Sequence, residues 1–241
     1  MSADASATPD WRVCSDSAAL AAEATKAVAS LAKSSIQRRG RFQLALAGGR
    51  TPQALYRRLR RLAMDWPVWH VYFGDERCVP VGDPQRNDRM AGNAWLDHVP
   101  IPTAQVHPIP AERGARAAAL AYSEELRQAD GLDLAVLGVG EDGHVASLFP
   151  GMNLDESSGA PPALAVFDAP KPPAERVTLS LATLNRAEAI IVLVDGAEKR
   201  EAMAKWRAGE DVPVSHLAPT QRLTVFLTAA AVPDNLSNHR P

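Results

Sequence analysis

Cysteine is scarce, neither positive nor negative charge is in excess, and no apolar run is long. Each shortage excludes something. The 241 residues hold two cysteines, Cys14 and Cys78, far apart and without metal-ligand spacing. That predicts reduced thiols in a cytoplasmic protein rather than a disulfide framework. Lys and Arg number 26 against 28 Asp and Glu, a net charge of −2. Such a balance gives no electrostatic basis for binding nucleic acid or an anionic membrane surface, so affinity for an anion has to come from a few local groups. No apolar stretch approaches a membrane span. The opening MSADASATPD lacks a basic start and an apolar core, so it does not read as a signal peptide. Residues 1–10 are expected to be a disordered tail. Residues 11–241 are expected to form one domain, because 46% apolar residues suffice for a core and no long polar linker divides them.

Strand and helix patterns alternate, which predicts an α/β fold, a mainly parallel Rossmann-like sheet flanked by helices. Strands are expected at 11–14, 42–47, 69–73, 106–109, 132–137, 163–167, 176–181, 189–194 and 223–227. Ser15-Asp16-Ser17 offers a cap for an Ala-rich helix to about Arg38, closed by Gly40. Thr51 as N-cap and Pro52 at the first helical position open the next helix. Further helices are expected from Asn87 to His98, from Ala111 to Ala129 and from Ala197 to Trp206. The irregular 151–175 region leaves room for a small subdomain.

The densest chemistry lies in LDLAVLGVGEDGHVASLFPG, residues 132–151. A buried strand ends in glycines and then presents Asp142 and His144 on a tight loop. Ligands in open α/β sheets bind beyond the carboxyl ends of the strands, and an imidazole there suits proton transfer near neutral pH. Gly138, Gly140 and Gly143 also match G-x-G-x-x-G. A dinucleotide site would need a full helix after Gly143 and an acid after the next strand, the position that Asp168 occupies. Pro150-Gly151 stops the chain after little more than one turn, and His144 occupies the place of the pyrophosphate.

Three further strand ends carry glycine and polar residues: Gly48-Gly49-Arg50-Thr51, Gly74-Asp75-Glu76-Arg77 and Asp195-Gly196 ahead of Lys199. A parallel sheet opens them on one rim. Gly48-Gly49 before a helix suits an anion, or is a plain strand-to-helix turn. No Lys-Ser/Thr of a P-loop follows. Arg77 pairs with its neighbouring carboxylates or, with Lys199, cradles a phosphate; Lys199 alone reads as a solvated helix residue. Asp142 orients the His144 ring or stays a solvated turn residue. The other histidines show no ligand spacing, so no metal is expected. Ser147 lacks the G-x-S-x-G elbow and Cys78 lacks a base, so no covalent nucleophile is indicated.

AGGRTP, GDERCVPVGDPQRND, LGVGEDGHVASLFPG and RVTLSLATLNRAEAIIVLVDGAEKREAM resemble, in order, the successive motifs of the 6-phosphogluconolactonase family. That family is grouped with glucosamine-6-phosphate deaminase and ribose-5-phosphate isomerase. The resemblance spans about residues 40–205. Leu148-Phe149-Pro150-Gly151 favours the lactonase branch over the deaminase. It implies hydrolysis of a phosphosugar lactone in the cytoplasm, without cofactor, by a monomer or weak homodimer. His144 with Asp142 would be catalytic. Gly48, Gly49, Arg50, Thr51, Asp75, Arg77, Asn87, Gly140 and Lys199 would hold substrate and phosphate, and backbone N–H groups of the glycine loops would be candidates for the oxyanion. Arg50 departs from the small polar residue usual in the family, and Thr228 from the acid that often ends the last strand. A sugar-phosphate isomerase or deaminase using Asp75 or Asp142 as base is the alternative enzyme. A non-catalytic sugar-phosphate sensor is the alternative outside catalysis, and it would be expected to bring a basic DNA-binding segment that this sequence lacks.

Overall fold

The computed structural model describes residues 8–154, 157 and 159–234. Residues 1–7 of the expected tail lie outside them, and β1 begins at Asp10. The strands are β1 (Asp10–Cys14), β2 (Phe42–Leu46), β3 (Trp69–Phe73), β4 (Asp75–Arg77), β5 (Leu134–Gly138), β6 (Ala163–Val166), β7 (Arg176–Leu179), β8 (Ala189–Val194) and β9 (Arg222–Thr228). The helices are α1 (Ser17–Arg39), α2 (Arg50–Leu59), α3 (Asn87–Ala94), α4 (Ala115–Gln128), α5 (Leu181–Asn185) and α6 (Arg200–Ala208), with short 3₁₀ turns between.

Six strands form the main sheet in the order β1-β9-β8-β5-β2-β3, every pairing parallel. Every residue of β2 and β8 is buried; β8 is an unbroken apolar run, and the one polar residue of β2, Gln43, donates its amide to Gly131 O. α1 starts where the Asp16 carboxylate accepts the Ala19 N–H at 2.8 Å and stops at Gly40, φ 72°, whose N–H returns to Ile36 O. At the far edge Trp66, Trp69 and Trp95 pack against one another, and Phe42 meets Trp69 edge-on.

A second, antiparallel sheet has the order β4-β7-β6. It corrects the expectation of a subdomain drawn from 151–175, since only β6 comes from there. β4 and β7 flank it in sequence and meet only in the fold. Gly74 joins the two sheets: its N–H donates to Leu46 O at 2.8 Å and its C=O accepts from Leu179 N at 2.7 Å.

Other boundaries also differ. Gly49 is the N-cap of α2, so Arg50, not Pro52, is its first residue and Thr51 caps nothing. Gly114, φ 82°, cuts the helix expected from Ala111 into a 3₁₀ turn and α4. The 106–109 segment makes a single bridge, Val106 to Val71, rather than a strand. α3 ends at Ala94, with a 3₁₀ turn carrying the chain to His98.

Candidate active site

The carboxyl ends of β2, β5 and β8, with β4 beside them, surround two adjoining hollows. The narrower, about 190 Å³, is lined by Ala47, Asp75, Arg77, Gly140, His144, Ala146 and Arg176. The wider, about 600 Å³, is lined by Arg50, Thr51, Glu141, Asp195, Glu198 and Lys199. Gly48, Gly49, Gly138 and Val139 border both.

His144 stands on a tightly wound loop. The Gly140 N–H donates to His144 O at 2.8 Å, and the Gly143 N–H to Gly140 O at 3.1 Å. Gly143 has φ 85° and faces Val212 so closely that a Cβ would sit 2.9 Å from the valine's own. Ala146, φ 50°, is the only non-glycine residue with positive φ among the described residues, a local strain on the rim of the narrow hollow. His144 Nδ1 lies 2.5 Å from Asp142 Oδ1, and the ring tilts against Phe149 with centroids 4.7 Å apart. An ionised Asp142 accepts from Nδ1–H, which leaves Nε2 with its lone pair and, among the described residues, no protein partner. Burial alone would raise the Asp142 pKa. The charge of His144 and the hydrogen bonds from its backbone and ring outweigh it and hold the carboxyl below its ordinary value.

Asp75 is buried, and its oxygens are taken. Oδ1 accepts from Asn87 Nδ2 at 2.9 Å and Oδ2 from Ser147 Oγ at 2.7 Å. Asn87 therefore does not reach toward substrate: it is 2% exposed and anchors Asp75. A Cβ on Gly48 would overlap the Asn87 amide, so this glycine is required by packing as well as by ligand approach. Glu76 is fully buried and accepts the N–H groups of Arg77, Asn87 and Asp88 at 2.8–2.9 Å. Burial pushes its carboxyl up to about 7 against those three bonds.

Arg77 donates through Nη1 to Gln85 O at 2.5 Å, and its buried Nε has no partner among the described residues. Arg176, not singled out from sequence, faces the same hollow. Lys199 lines the wider hollow instead, so Arg77 and Lys199 do not share one compartment. The start of α2 opens there with no side-chain cap, which leaves N–H groups and the positive end of the helix dipole toward the space between Arg50 and Lys199. Gly140 keeps its place on the rim, yet its N–H and that of Gly143 are engaged within the loop, so neither serves an oxyanion. Thr228 is buried, and its hydroxyl accepts the Gly196 N–H at 3.3 Å.

A family model for glucosamine-6-phosphate isomerases/6-phosphogluconolactonase matches residues 15–226. The chain belongs to this family. It is 40% identical to a 6-phosphogluconolactonase of Synechocystis over 197 residues, 76% of this chain and 78% of that one. The Mycobacterium tuberculosis 6-phosphogluconolactonase is 39% identical over 215 residues, 83% of this chain and 86% of that one. The solved 6-phosphogluconolactonase of Trypanosoma brucei superposes with a TM-score of 0.85 at 27% identity, covering 94% of this chain and 98% of its own.

Ser147 and Arg176 are the site residues that the sequence reading missed. Ser147 stands three residues after His144, and only the fold shows that it ties the histidine loop to Asp75 and, through its N–H, to Thr178 on β7. Arg176 opens the RVTLSLATLN motif, but nothing local in that motif shows that it faces the hollow.

Proposed function

We propose that this chain hydrolyses 6-phospho-D-glucono-1,5-lactone to 6-phosphogluconate in the oxidative pentose phosphate pathway. The carrying observation is the Asp142–His144 pair, with a free imidazole nitrogen, on a hollow that opens into a wider one where Lys199 and Arg50 meet an uncapped helix start. His144 acts as general base on water, and its imidazolium then protonates the departing ring oxygen. Such a group contributes roughly 10²–10⁴-fold. The phosphate lies in the wider hollow, held by Lys199, Arg50 and the first N–H groups of α2. Arg77 stands nearer the reacting carbonyl. Binding energy from the remote phosphate positions that carbonyl and so raises rate as well as affinity. The protein works in the cytoplasm as a monomer or weak homodimer.

The test is acid release from freshly made phosphogluconolactone, corrected for spontaneous hydrolysis. A rate no faster than the spontaneous one rejects the proposal. Ammonia or a ketose as product would favour the deaminase or isomerase, against which Asp75 already speaks, because both its oxygens are hydrogen-bonded. Tight binding without turnover would favour a sensor.

A further inference from the structure

Arg176 opens β7 and is 6% exposed. A buried charge is costly unless something pairs it, yet among the described residues this guanidinium forms no ion pair with a carboxylate. It makes three hydrogen bonds, all to neutral groups: Nε to Pro173 O at 2.9 Å, Nη2 to Lys171 O at 2.6 Å and Nη1 to Ser147 Oγ at 3.5 Å. A guanidinium carries five N–H donors, so it keeps donors in reserve, and the contact to Ser147 is at the limit of a hydrogen bond. Its face lies over Phe149, the ring that His144 leans on.

The narrow hollow therefore has two cations, Arg77 and Arg176, against one lining carboxylate, Asp75, whose oxygens are already engaged. Burial, with Arg77 adding to it, draws the Arg176 pKa below its ordinary value despite the pull of Asp75. A site with surplus positive charge beside a general base fits a substrate that gains negative charge during reaction. The Gly140 and Gly143 N–H groups of the histidine loop supply none of that stabilisation, because both are engaged within the loop.

We propose that Arg176 is the catalytic electrophile of this hollow, donating to the lactone carbonyl oxygen and holding the charge it acquires in the tetrahedral intermediate. The inference rests on the lactonase reading. Water bonds to the carbonyl carbon as His144 Nε2 takes its proton, and the C=O π pair moves to the oxygen beside Arg176. When C=O re-forms, the bond to the ring oxygen breaks and His144 returns the proton to that oxygen. The carboxylic acid formed then ionises.

The experiment compares wild type, Arg176→Ala, Arg176→Lys and Lys199→Ala on phosphogluconolactone and on unphosphorylated gluconolactone, with melting temperature and 6-phosphogluconate binding measured alongside. Arg176→Ala is expected to lose kcat by about 10²–10³-fold on both lactones, with KM changed only a few-fold. Added guanidinium ion should restore part of that rate, and should restore none in Lys199→Ala. If Arg176→Ala does not fold, Arg176→Lys carries the test with a kcat loss of about tenfold or more on both lactones, since the planar fork is gone. Loss confined to KM for the phosphorylated lactone would make Arg176 a phosphate ligand. A kcat within threefold of wild type, or a loss that guanidinium does not relieve, also overturns the proposal. Failure of the wild type to release acid is a separate result and removes the lactonase reading itself.

Discussion

Asp142 Oδ1 and His144 Nδ1 stand 2.5 Å apart across a single intervening glycine. The carboxylate fixes the tautomer and so keeps the other ring nitrogen a base. Asp142→Asn is expected to lower kcat by about 10²-fold or more, because the amide can present a donor to Nδ1 and reverse the tautomer. His144→Ala should remove most of the catalysed rate. Both should bind 6-phosphogluconate nearly as wild type does, measured by calorimetry. A near-normal kcat in either would make the pair structural.

Lys199 and Arg50 line the hollow at the start of α2. A charge-assisted hydrogen bond contributes roughly 1.5–3 kcal/mol, so Lys199→Ala should cost about one to two orders of magnitude in kcat/KM on the phosphorylated lactone. Arg50, more exposed, should cost less. Neither change should matter much for gluconolactone, which offers no phosphate. Equal losses on the two substrates would move the phosphate out of this hollow.

Glu76 predicts a pH dependence of stability. Its ordinary value is 4.5 and burial raises it to about 7. Between those values the folded chain holds a proton that the unfolded chain has released. The contribution to stability is therefore complete below 4.5, declines as pH rises through about 7 and is level above. Glu76→Gln lacks this titration. Its melting temperature relative to wild type should climb across the same window, and a pH-independent difference would contradict the assignment.

Among the described residues no group of three or more His, Cys, Asp or Glu side chains is arranged to hold a metal ion. Dialysis against a chelator is expected to leave the rate unchanged. A loss of activity restored by zinc or magnesium would refute this.

The parallel sheet and the histidine loop were legible because their signals are local. An unbroken apolar run, a glycine cluster and a capped helix each announce themselves within a few residues. The second sheet was not. β4 is three polar residues, Asp75-Glu76-Arg77, too short for any alternation to appear, and its partner β7 lies about a hundred residues on. A separation of 72 residues hid the Ser147–Asp75 bond, and only the fold brings Arg176, at the head of its motif, to the hollow. The family resemblance implies that Asn87, at the end of the GDERCVPVGDPQRND motif, holds substrate. The fold turns its amide inward to Asp75. Thr51-Pro52 read as a helix opening, yet the helix had already begun at Arg50 with a glycine cap.

Gly48 and Asn87 occupy what is in effect one residue's worth of space. A methyl group at 48 and an amide at 87 cannot coexist without displacement. The two positions are thus joined in heredity: a chain that acquires a side chain at 48 has to shorten residue 87, before or after. Second-site suppressors of Gly48→Ala should gather at 87, and they should rescue folding more readily than turnover. The smaller residue relieves the overlap but leaves Asp75 Oδ1 without its partner.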